Sequence, residues 1–216
     1  MRILYSDEDL VVVNKEKGQL SQKDEKRRDT LPDLLERETG GEIFPVHRLD
    51  RETSGVMVYA RNSRSAAHLS REIAEGFFEK EYFAVLHRAP EESEGALRDY
   101  LYYDRSKNKV FPVKRLRKGV KEARLRYRIL KESDGLFLAE VFPETGRTHQ
   151  IRVQFASRGC PLWGDKKYGG EGEGLALHCR CLRFCHPKTK EMLSFVCEPD
   201  GSSPWDRFPP QIIRPF

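Results

Sequence analysis

The stretch HRLDRETSG, at His47–Gly55, surrounds one carboxylate, Asp50, with basic residues. The positive charges of Arg48 and Arg51 favour the ionised form of a neighbouring carboxyl group. Taken alone, Asp50 would be interpreted as one half of a surface salt bridge, which contributes little to stability. The reason for placing one carboxylate inside a basic cluster therefore has to come from the rest of the chain.

Apolar and β-branched runs on both sides of this stretch predict strands, and capping residues with helical spacing predict helices. The predicted strands are Ile3–Asn14 (two strands with a turn at Ser6–Asp9), Gly55–Ala60, Tyr82–His87, Arg124–Leu130, Leu136–Val141, Leu175–Phe184 and Met192–Cys197. The predicted helices are Leu31–Glu38, Arg64–Glu75 and Thr145–Arg158. Turns are predicted at Glu91–Gly95 and Asp104–Asn108. These elements follow no steady β-α-β rhythm, which predicts an α+β fold with a central mixed, largely antiparallel sheet flanked by helices and loops.

The composition is typical of a globular protein. Of the 216 residues, 38% are hydrophobic and 34% are charged, a balance that excludes membrane-embedded and disordered classes. No apolar run is long enough to span a bilayer, and the N-terminus has charges where a signal peptide would be apolar. The five cysteines are an odd number, which argues against a disulfide framework. We therefore expect a cytoplasmic protein with reduced thiols.

Positive charge is concentrated in one part of the chain. The net charge is only +5, but Lys107–Lys121, KNKVFPVKRLRKGVK, is densely basic and contains Phe111 and Pro112. Such a segment, here called the basic segment, can contact the phosphates of a nucleic acid. A solvated loop explains the run equally well, so the segment alone does not decide between the two.

Two further stretches carry candidate functional side chains. In PETGRTHQIRVQFASRGCPLWGDKKYG, at Pro143–Gly169, His149 and Arg152 lie three residues apart and would share a helix face. In KEYFAVL, at Lys80–Leu86, Tyr82 begins an apolar strand. Each stretch also has a purely structural interpretation. The first can be an amphipathic helix with its polar residues outside, and Tyr82 can be an ordinary core aromatic residue.

Taken together and in this order, the three stretches resemble the motifs of the RluA-type pseudouridine synthases. The earlier stretch VVVNKEKG and the later stretch LHCRCLRFCHPKTKEMLSF also resemble the family, so the resemblance runs from about Leu10 to about Pro199. The family often has a proline where Glu16 stands. The combination of HRLD-x-x-TSG with TGRTHQIR is highly specific. The resemblance implies a pseudouridine synthase fold with an active-site cleft across the sheet.

The resemblance also implies the roles of individual residues. Asp50 corresponds to the catalytic aspartate, Tyr82 to the active-site tyrosine and Arg152 to the arginine that pairs with the aspartate. We therefore expect an ion pair between Asp50 and Arg152. The residues expected to contact RNA are His47, Arg48, Arg51, Thr53, Arg147, His149, Gln150 and Ile151, with Arg48 filling the space of a flipped-out base. The resemblance implies an enzyme that converts uridine to pseudouridine within RNA. This isomerisation needs no metal and no cofactor, because nothing is oxidised and no group is imported.

The expected partner is structured RNA, ribosomal or transfer, and no membrane. The synthase motifs begin almost at Met1, so we expect a single catalytic domain over residues 1–216 with no separate N-terminal RNA-binding domain of the S4 type. A monomer is the expected oligomeric state. The sequence does not identify the RNA or the uridine, and it leaves open whether Tyr82 is the base or only stacks on the ring.

Three other interpretations compete. A metal site could use Cys179, Cys181 and Cys185, with His178 and His186 nearby, but C-x-C-x₃-C is not the usual paired C-x₂-C zinc spacing. A Cys160 nucleophile paired with His149 would lack an orienting acid. A catalytically inactive RNA-binding or RNA-chaperone module of the same fold would keep the basic surface but would not need Asp50, Tyr82 and Arg152 together.

Overall fold

The computed structural model describes residues 1–27 and 29–209, which divide into two compact units. Unit 1 contains the described residues of 1–80 and 178–199, and unit 2 contains 81–177 and 200–209. No helix in the described ranges has the length and apolar character needed to cross a membrane. The expectation of a single catalytic domain stays a prediction.

The described residues form eleven strands and three α-helices. The strands are β1 (Arg2–Ser6), β2 (Leu10–Lys15), β3 (Phe44–Pro45), β4 (Ser54–Ala60), β5 (Glu79–Leu86), β6 (Glu94–Asp104), β7 (Lys109–Val113), β8 (Val120–Ser133), β9 (Leu136–Pro143), β10 (Leu177–Cys185) and β11 (Met192–Val196). The helices are α1 (Leu31–Thr39), α2 (Ser63–Glu75) and α3 (Gln150–Ala156). The α+β class is therefore confirmed.

Unit 1 contains a mixed sheet. Its strands are ordered β1-β2-β4-β10, with β3 on β4 and β11 on β10. The pair β4–β10 is parallel and the other pairs are antiparallel, as the prediction of a mixed, largely antiparallel sheet requires. The apolar runs of β2 and β4 are buried because each strand is covered on both faces. Helix α2 begins after Asn62, whose side chain accepts the Ser65 N–H, and ends at the left-handed Gly76.

Unit 2 contains an antiparallel sheet in the order β5-β9-β8-β6-β7. Val153 of α3 packs into a cluster with Leu101, Val110 and Ala123, which fixes the helix against the strands β6, β7 and β8. The helix therefore lies beside β7, the strand that the basic segment forms at Lys109–Val113. That segment was expected to be a loop or an RNA-contacting run, and its first half is a strand.

The predicted helix over Thr145–Arg158 is wrong at its beginning, since α3 starts at Gln150. The reason is the Gln150 side chain. Its Oε1 accepts the Arg147 N–H at 3.0 Å and the Thr145 hydroxyl at 2.7 Å, and its Nε2 donates to the Arg124 carbonyl at 2.9 Å. These bonds satisfy the backbone in a loop, so a helix is not required there. Arg147 therefore precedes the helix and does not lie in its first turn. The predicted turn at Glu91–Gly95 also ends early, because β6 begins at Glu94.

Candidate active site

Asp50 lies in a loop of unit 1 that connects β3 with β4. Its carbonyl accepts the Thr53 N–H at 3.0 Å, which closes a tight turn around the aspartate. Next to it, Leu49 is buried and its carbonyl accepts the Ser21 hydroxyl at 2.8 Å. The carboxylate is half-buried, whereas the Arg48 side chain is exposed. The backbone therefore holds Asp50 in place and leaves Arg48 open to solvent.

A buried lysine supports this loop. Lys15, at the end of β2, is fully buried, and its ammonium donates to the carbonyls of Arg51 at 2.9 Å and Thr53 at 2.7 Å. A third bond goes to the Glu16 carbonyl at 3.0 Å. Burial lowers the pKa of Lys15 to about 8, while the nearby carboxylates of Glu52 and Asp50 act in the opposite direction. Sequence reasoning missed this residue, although a lysine closing the apolar run LVVVNK was a signal for it.

The shifted pKa of Lys15 gives a test of this anchor. Because the unfolded chain keeps its lysine proton up to a pKa of about 10.5 and the folded chain loses it near 8, the unfolded state binds more protons between these values. Stability contributed by this group therefore rises with pH across that window. We expect the free energy of unfolding of wild type minus that of Lys15→Met to increase by about 2 kcal/mol between pH 7 and pH 9.5. Urea unfolding of both proteins at the two pH values measures it, and a constant difference would contradict the buried, proton-losing lysine.

His47 joins the same loop to β4. Its ring is buried and packs 5.4 Å from the ring of Phe78, and its Nε2 accepts the Val58 N–H at 3.1 Å. Burial, together with the positive charge of Lys80, holds the pKa of His47 well below its ordinary value. The imidazole is therefore neutral and acts as an acceptor, which assigns it to positioning the loop. An RNA contact by His47 stays a prediction.

Gly55 follows the loop, at the point where the backbone of β4 comes close to that of β10. Its φ is +116°, and a Cβ on this residue would lie 2.2 Å from the carbonyl oxygen of Cys179 on β10. The neighbouring Ser54 hydroxyl lies 2.9 Å from Nδ1 of His178 on the same strand. Only glycine fits the left-handed conformation and the close approach at once.

We expect Gly55→Ala to lower the free energy of unfolding by about 3 kcal/mol, because it adds backbone strain and a clash with main-chain atoms. Gly76→Ala is the matched control. Gly76 also has a left-handed φ of +83°, but no atom lies within 4 Å of a Cβ there. Chemical unfolding of both variants separates strain from clash. Equal losses for the two would show that the close approach to Cys179 contributes nothing.

In unit 2, α3 presents Arg152 in a buried ion pair. The Arg152 Nε and Nη2 groups donate to the two carboxylate oxygens of Asp165, both at 2.8 Å. Both residues are buried, as is Ile151 beside Arg152. A guanidinium bonded by two parallel N–H groups has a fixed orientation. Asp165 was missed in the sequence, where it stands within GDKKYG. The expected pair between Arg152 and Asp50 stays a prediction.

The other predicted residues of unit 2 surround the start of α3. His149 immediately precedes the helix with a left-handed φ of +51°, and its Nδ1 lies 2.9 Å from the Tyr168 hydroxyl. The Arg147 Nε donates to the Glu122 carbonyl at 2.8 Å. Tyr82 is buried on β5, opposite Val141 of β9. His149, Arg147 and Gln150 thus belong to one hydrogen-bonded loop, while Tyr82 is held by the sheet.

Most cationic side chains of the basic segment are exposed to solvent. The exposed cations are Lys107, Lys114, Arg115, Arg117, Lys118 and Lys121. Aromatic rings lie among them: Lys107 Nζ is 5.8 Å from the centre of the Phe111 ring, and the Arg117 guanidinium is 5.8 Å from that of Tyr102. Cations and ring faces together suit the phosphates and bases of single-stranded RNA.

The competing interpretations find little support in the described residues. No group of three or more His, Cys, Asp or Glu side chains there is arranged to hold a metal ion. Cys179 and Cys181 are buried in β10. Cys160 is buried as well, and burial raises the pKa of its thiol, which disfavours the thiolate that a nucleophile requires.

Comparison with known proteins agrees with these motifs. A family model described as RNA pseudouridylate synthase matches residues 9–157. The chain is 34% identical over 221 residues to a tRNA pseudouridine synthase C of Vibrio parahaemolyticus, covering 89% of this chain and 88% of that one. It is 32% identical over 173 residues to a ribosomal large subunit pseudouridine synthase C of Rickettsia bellii, covering 78% of this chain. The chain spans only 57% of the length of the Rickettsia protein.

A solved structure is similar across most of the chain. The human protein called RNA Pseudouridylate Synthase Domain Containing 4 superposes with a TM-score of 0.74 at 27% sequence identity. The superposition covers 91% of this chain and 88% of the human one. The fold of the chain is therefore that of pseudouridylate synthase domains.

Proposed function

The chain belongs to the RNA pseudouridylate synthase family, and on that premise we propose that it converts uridine to pseudouridine within structured RNA. The observation that carries the proposal is the turn that presents Asp50. Lys15 donates hydrogen bonds to carbonyl groups of this loop, and Gly55 at its end allows the close approach to β10. This construction holds one carboxylate in a fixed position, as a nucleophile or an electrostatic stabiliser requires.

The reaction determines which groups are needed. The bond between N1 of uracil and C1′ of ribose breaks, the ring turns, and a bond forms between C5 and C1′. The proton on C5 leaves and N1 gains one, so atoms and charge balance without a redox change, a cofactor or a metal. Asp50 attacks C1′ or stabilises its oxocarbenium character, as carboxylates do in glycoside chemistry. Arg152 acts with Asp50 on the same uridine, as the family resemblance implies.

We assign Tyr82 to the uracil ring. Its burial on β5 gives the aromatic ring a fixed position, which suits stacking on a flipped-out base. The proton on C5 leaves to Tyr82 directly or through water, or Tyr82 stacks on the ring only; both roles require its contact with the base. Ile151, buried next to Arg152, packs beside that arginine.

RNA is held by exposed cations in this proposal. Arg48 occupies the gap that the flipped base leaves, and the basic segment contacts phosphates. Arg51, Thr53, Arg147, His149 and Gln150 are proposed to contact RNA or to support residues that do. The Vibrio relative is named for transfer RNA and the Rickettsia relative for the large ribosomal subunit, so both RNA classes are candidates. We further propose a cytoplasmic monomer.

Arg48 offers a test of the flipping role. Because its side chain is exposed, we expect Arg48→Ala to change the free energy of unfolding by no more than about 0.5 kcal/mol. The rate of a single turnover should nevertheless fall, because the flipped-out state loses the group that fills its gap. Tritium release with enzyme in excess measures this rate, and thermal unfolding measures the stability. An unchanged rate would refute the assignment.

The activity itself is tested with RNA labelled with tritium at uridine C5, because forming the bond from C5 to C1′ releases this atom to water. The RNA is total RNA from cells that lack the protein, so that the natural site is unmodified. Release of tritium by the purified protein would establish isomerisation. No release, with RNA binding retained, would refute it in favour of an RNA-binding module without activity.

A further inference from the structure

Tyr168 lies where the basic segment meets the start of α3. Its hydroxyl accepts the Val110 N–H at 2.8 Å and lies 2.9 Å from Nδ1 of His149. A phenol hydroxyl can accept one hydrogen bond and donate another, so its proton is available to the imidazole. One hydroxyl therefore connects a backbone group of β7 to His149, the residue that precedes α3.

The ring of Tyr168 lies beside a cation from each side of this connection. The Lys109 Nζ, from the basic segment, is 5.1 Å from the ring centre, and the Arg152 guanidinium is 5.3 Å from it. Both distances are within the range of cation–π attraction. A change in the position of β7 is thus transmitted through one rigid aromatic ring to the guanidinium of Arg152.

The neighbours of Tyr168 reinforce the connection. The short turn Asp165–Tyr168, here called the bridging turn, bonds to Arg152 through Asp165. It also bonds to the tip of the β6–β7 hairpin, because Lys167 Nζ donates to the Asn108 carbonyl at 2.7 Å. The bridging turn therefore contacts both the hairpin and Arg152 of α3.

Backbone strain lies at both ends of this bridge. Asn108 has a φ of +44° and His149 a φ of +51°, in the left-handed region that residues other than glycine avoid. Such conformations persist only where the surrounding contacts hold them. At Asn108 these contacts include the bond from Lys167 and the bond from the Tyr103 hydroxyl to Asn108 Oδ1 at 2.9 Å, and at His149 they include the bond with Tyr168.

We propose that Tyr168 is a positioning residue that couples RNA contact on the basic segment to the orientation of Arg152 and His149. The inference rests on the proposed function and adds a route from the RNA-binding surface to the chemistry. RNA phosphates that engage the hairpin hold β7, and β7 holds the hydroxyl and ring of Tyr168. RNA bound on the hairpin therefore further restricts the movement of Arg152 and His149.

Tyr168→Phe tests the proposal, with single-turnover tritium release from the C5-labelled total RNA described above. We expect the rate at saturating enzyme to fall about tenfold, the size of one lost hydrogen bond at a positioned group, with the half-saturating enzyme concentration nearly unchanged. Tyr127→Phe is the matched control. Its hydroxyl also bonds a backbone atom of unit 2, the Glu92 carbonyl at 3.0 Å, and its ring packs against Phe155 of α3. That variant should lose similar thermal stability and keep its rate.

A second arm tests the coupling. Lys107→Ala removes an exposed cation from the hairpin, and with Tyr168 intact it should lower both RNA affinity and the saturated rate. In a Tyr168→Leu background, which lacks both the hydroxyl and the ring that contacts Arg152, it should lower affinity alone. Equal rate effects of Lys107→Ala in both backgrounds would overturn the coupling, as would equal slowing by Tyr127→Phe or an unchanged rate in Tyr168→Phe. No release by the wild type would instead refute the proposed function, and the coupling with it.

Discussion

Asp50→Asn should abolish turnover while leaving RNA affinity within about threefold of wild type. Loss of the carboxylate removes the group that attacks or stabilises C1′, so we expect the single-turnover rate to fall at least about 1,000-fold. In the proposed function, affinity is set by phosphate contacts of exposed cations, which an amide in place of a carboxylate would not disturb. The turn around residue 50 is closed by a backbone hydrogen bond, which the substitution leaves in place.

Glu52→Gln is the matched control for this experiment. Glu52 is an exposed carboxylate two residues away in the same loop, and its replacement also removes one negative charge. We expect Glu52→Gln to keep its rate. Tritium release measures turnover, and a filter-binding titration with the same RNA measures affinity. If Asp50→Asn lost binding as severely as turnover, the division between a catalytic aspartate and a separate phosphate-binding surface would be wrong.

The charges around Asp50 have different functions. Arg51 does not simply face the aspartate, since its Nε donates to the Gly18 carbonyl at 3.1 Å and its own carbonyl accepts from Lys15. Arg48 is exposed and remains available to RNA. The buried positive charge in this part of unit 1 is Lys15, which binds the loop through carbonyl groups. Of the two arginines in the sequence cluster, Arg51 is thus a contact within the loop and Arg48 an exposed cation, while the loop is anchored by Lys15 from outside the cluster.

Elements with a strong local signal were predictable. The β-branched runs of β2 and β4, and helix α2, lie where the sequence placed them. The start of α3 was not predictable, because the contacts of Gln150 with Arg124 join residues that are far apart in the chain. Local propensity favours a helix over THQIRVQF, and tertiary hydrogen bonds replace its first turn.

The same reason explains the parts of the site that were missed. Lys15 acts on Arg51 and Thr53, more than 30 residues away. Tyr168 acts on Val110 of another strand. A motif shows which residue types are present, but the partner of a buried charge depends on the packing of distant segments. The residues named from the motifs are therefore those proposed to react with or contact the RNA, and the residues found in the structure are those that hold their loops in place.

Asp165→Asn should have the largest effect on stability of the substitutions considered for unit 2. The variant takes the negative charge from beside the buried guanidinium of Arg152, whose Nε and Nη2 both bond the Asp165 carboxylate. Breaking a buried pair from one side leaves a desolvated charge with poorer compensation, at a cost of about 3–5 kcal/mol. For a chain of this size the melting temperature should fall by roughly 10 °C.

A matched surface pair provides the control for Asp165→Asn. Arg158 and Asp99 also meet at 2.8 Å, but their side chains are 34% and 17% exposed, whereas those of Arg152 and Asp165 are 9% and 0% exposed. Asp99 also accepts a bond from Gln154 Nε2 at 2.8 Å, which the carbonyl oxygen of an asparagine can keep. Solvent compensates a broken pair at the surface, so Asp99→Asn should cost no more than about 1 kcal/mol.

The double variant Arg152→Met with Asp165→Leu removes both charges. It should recover most of the stability, because apolar residues of similar volume can replace a buried ion pair with little loss of stability. It should not recover activity. If the double variant were as unstable as Asp165→Asn, the loss would come from the shape of the site and not from the missing charge of Asp165. Equal costs for the buried and the surface pair would likewise mean that water reaches Arg152, and that its orientation is not fixed by Asp165.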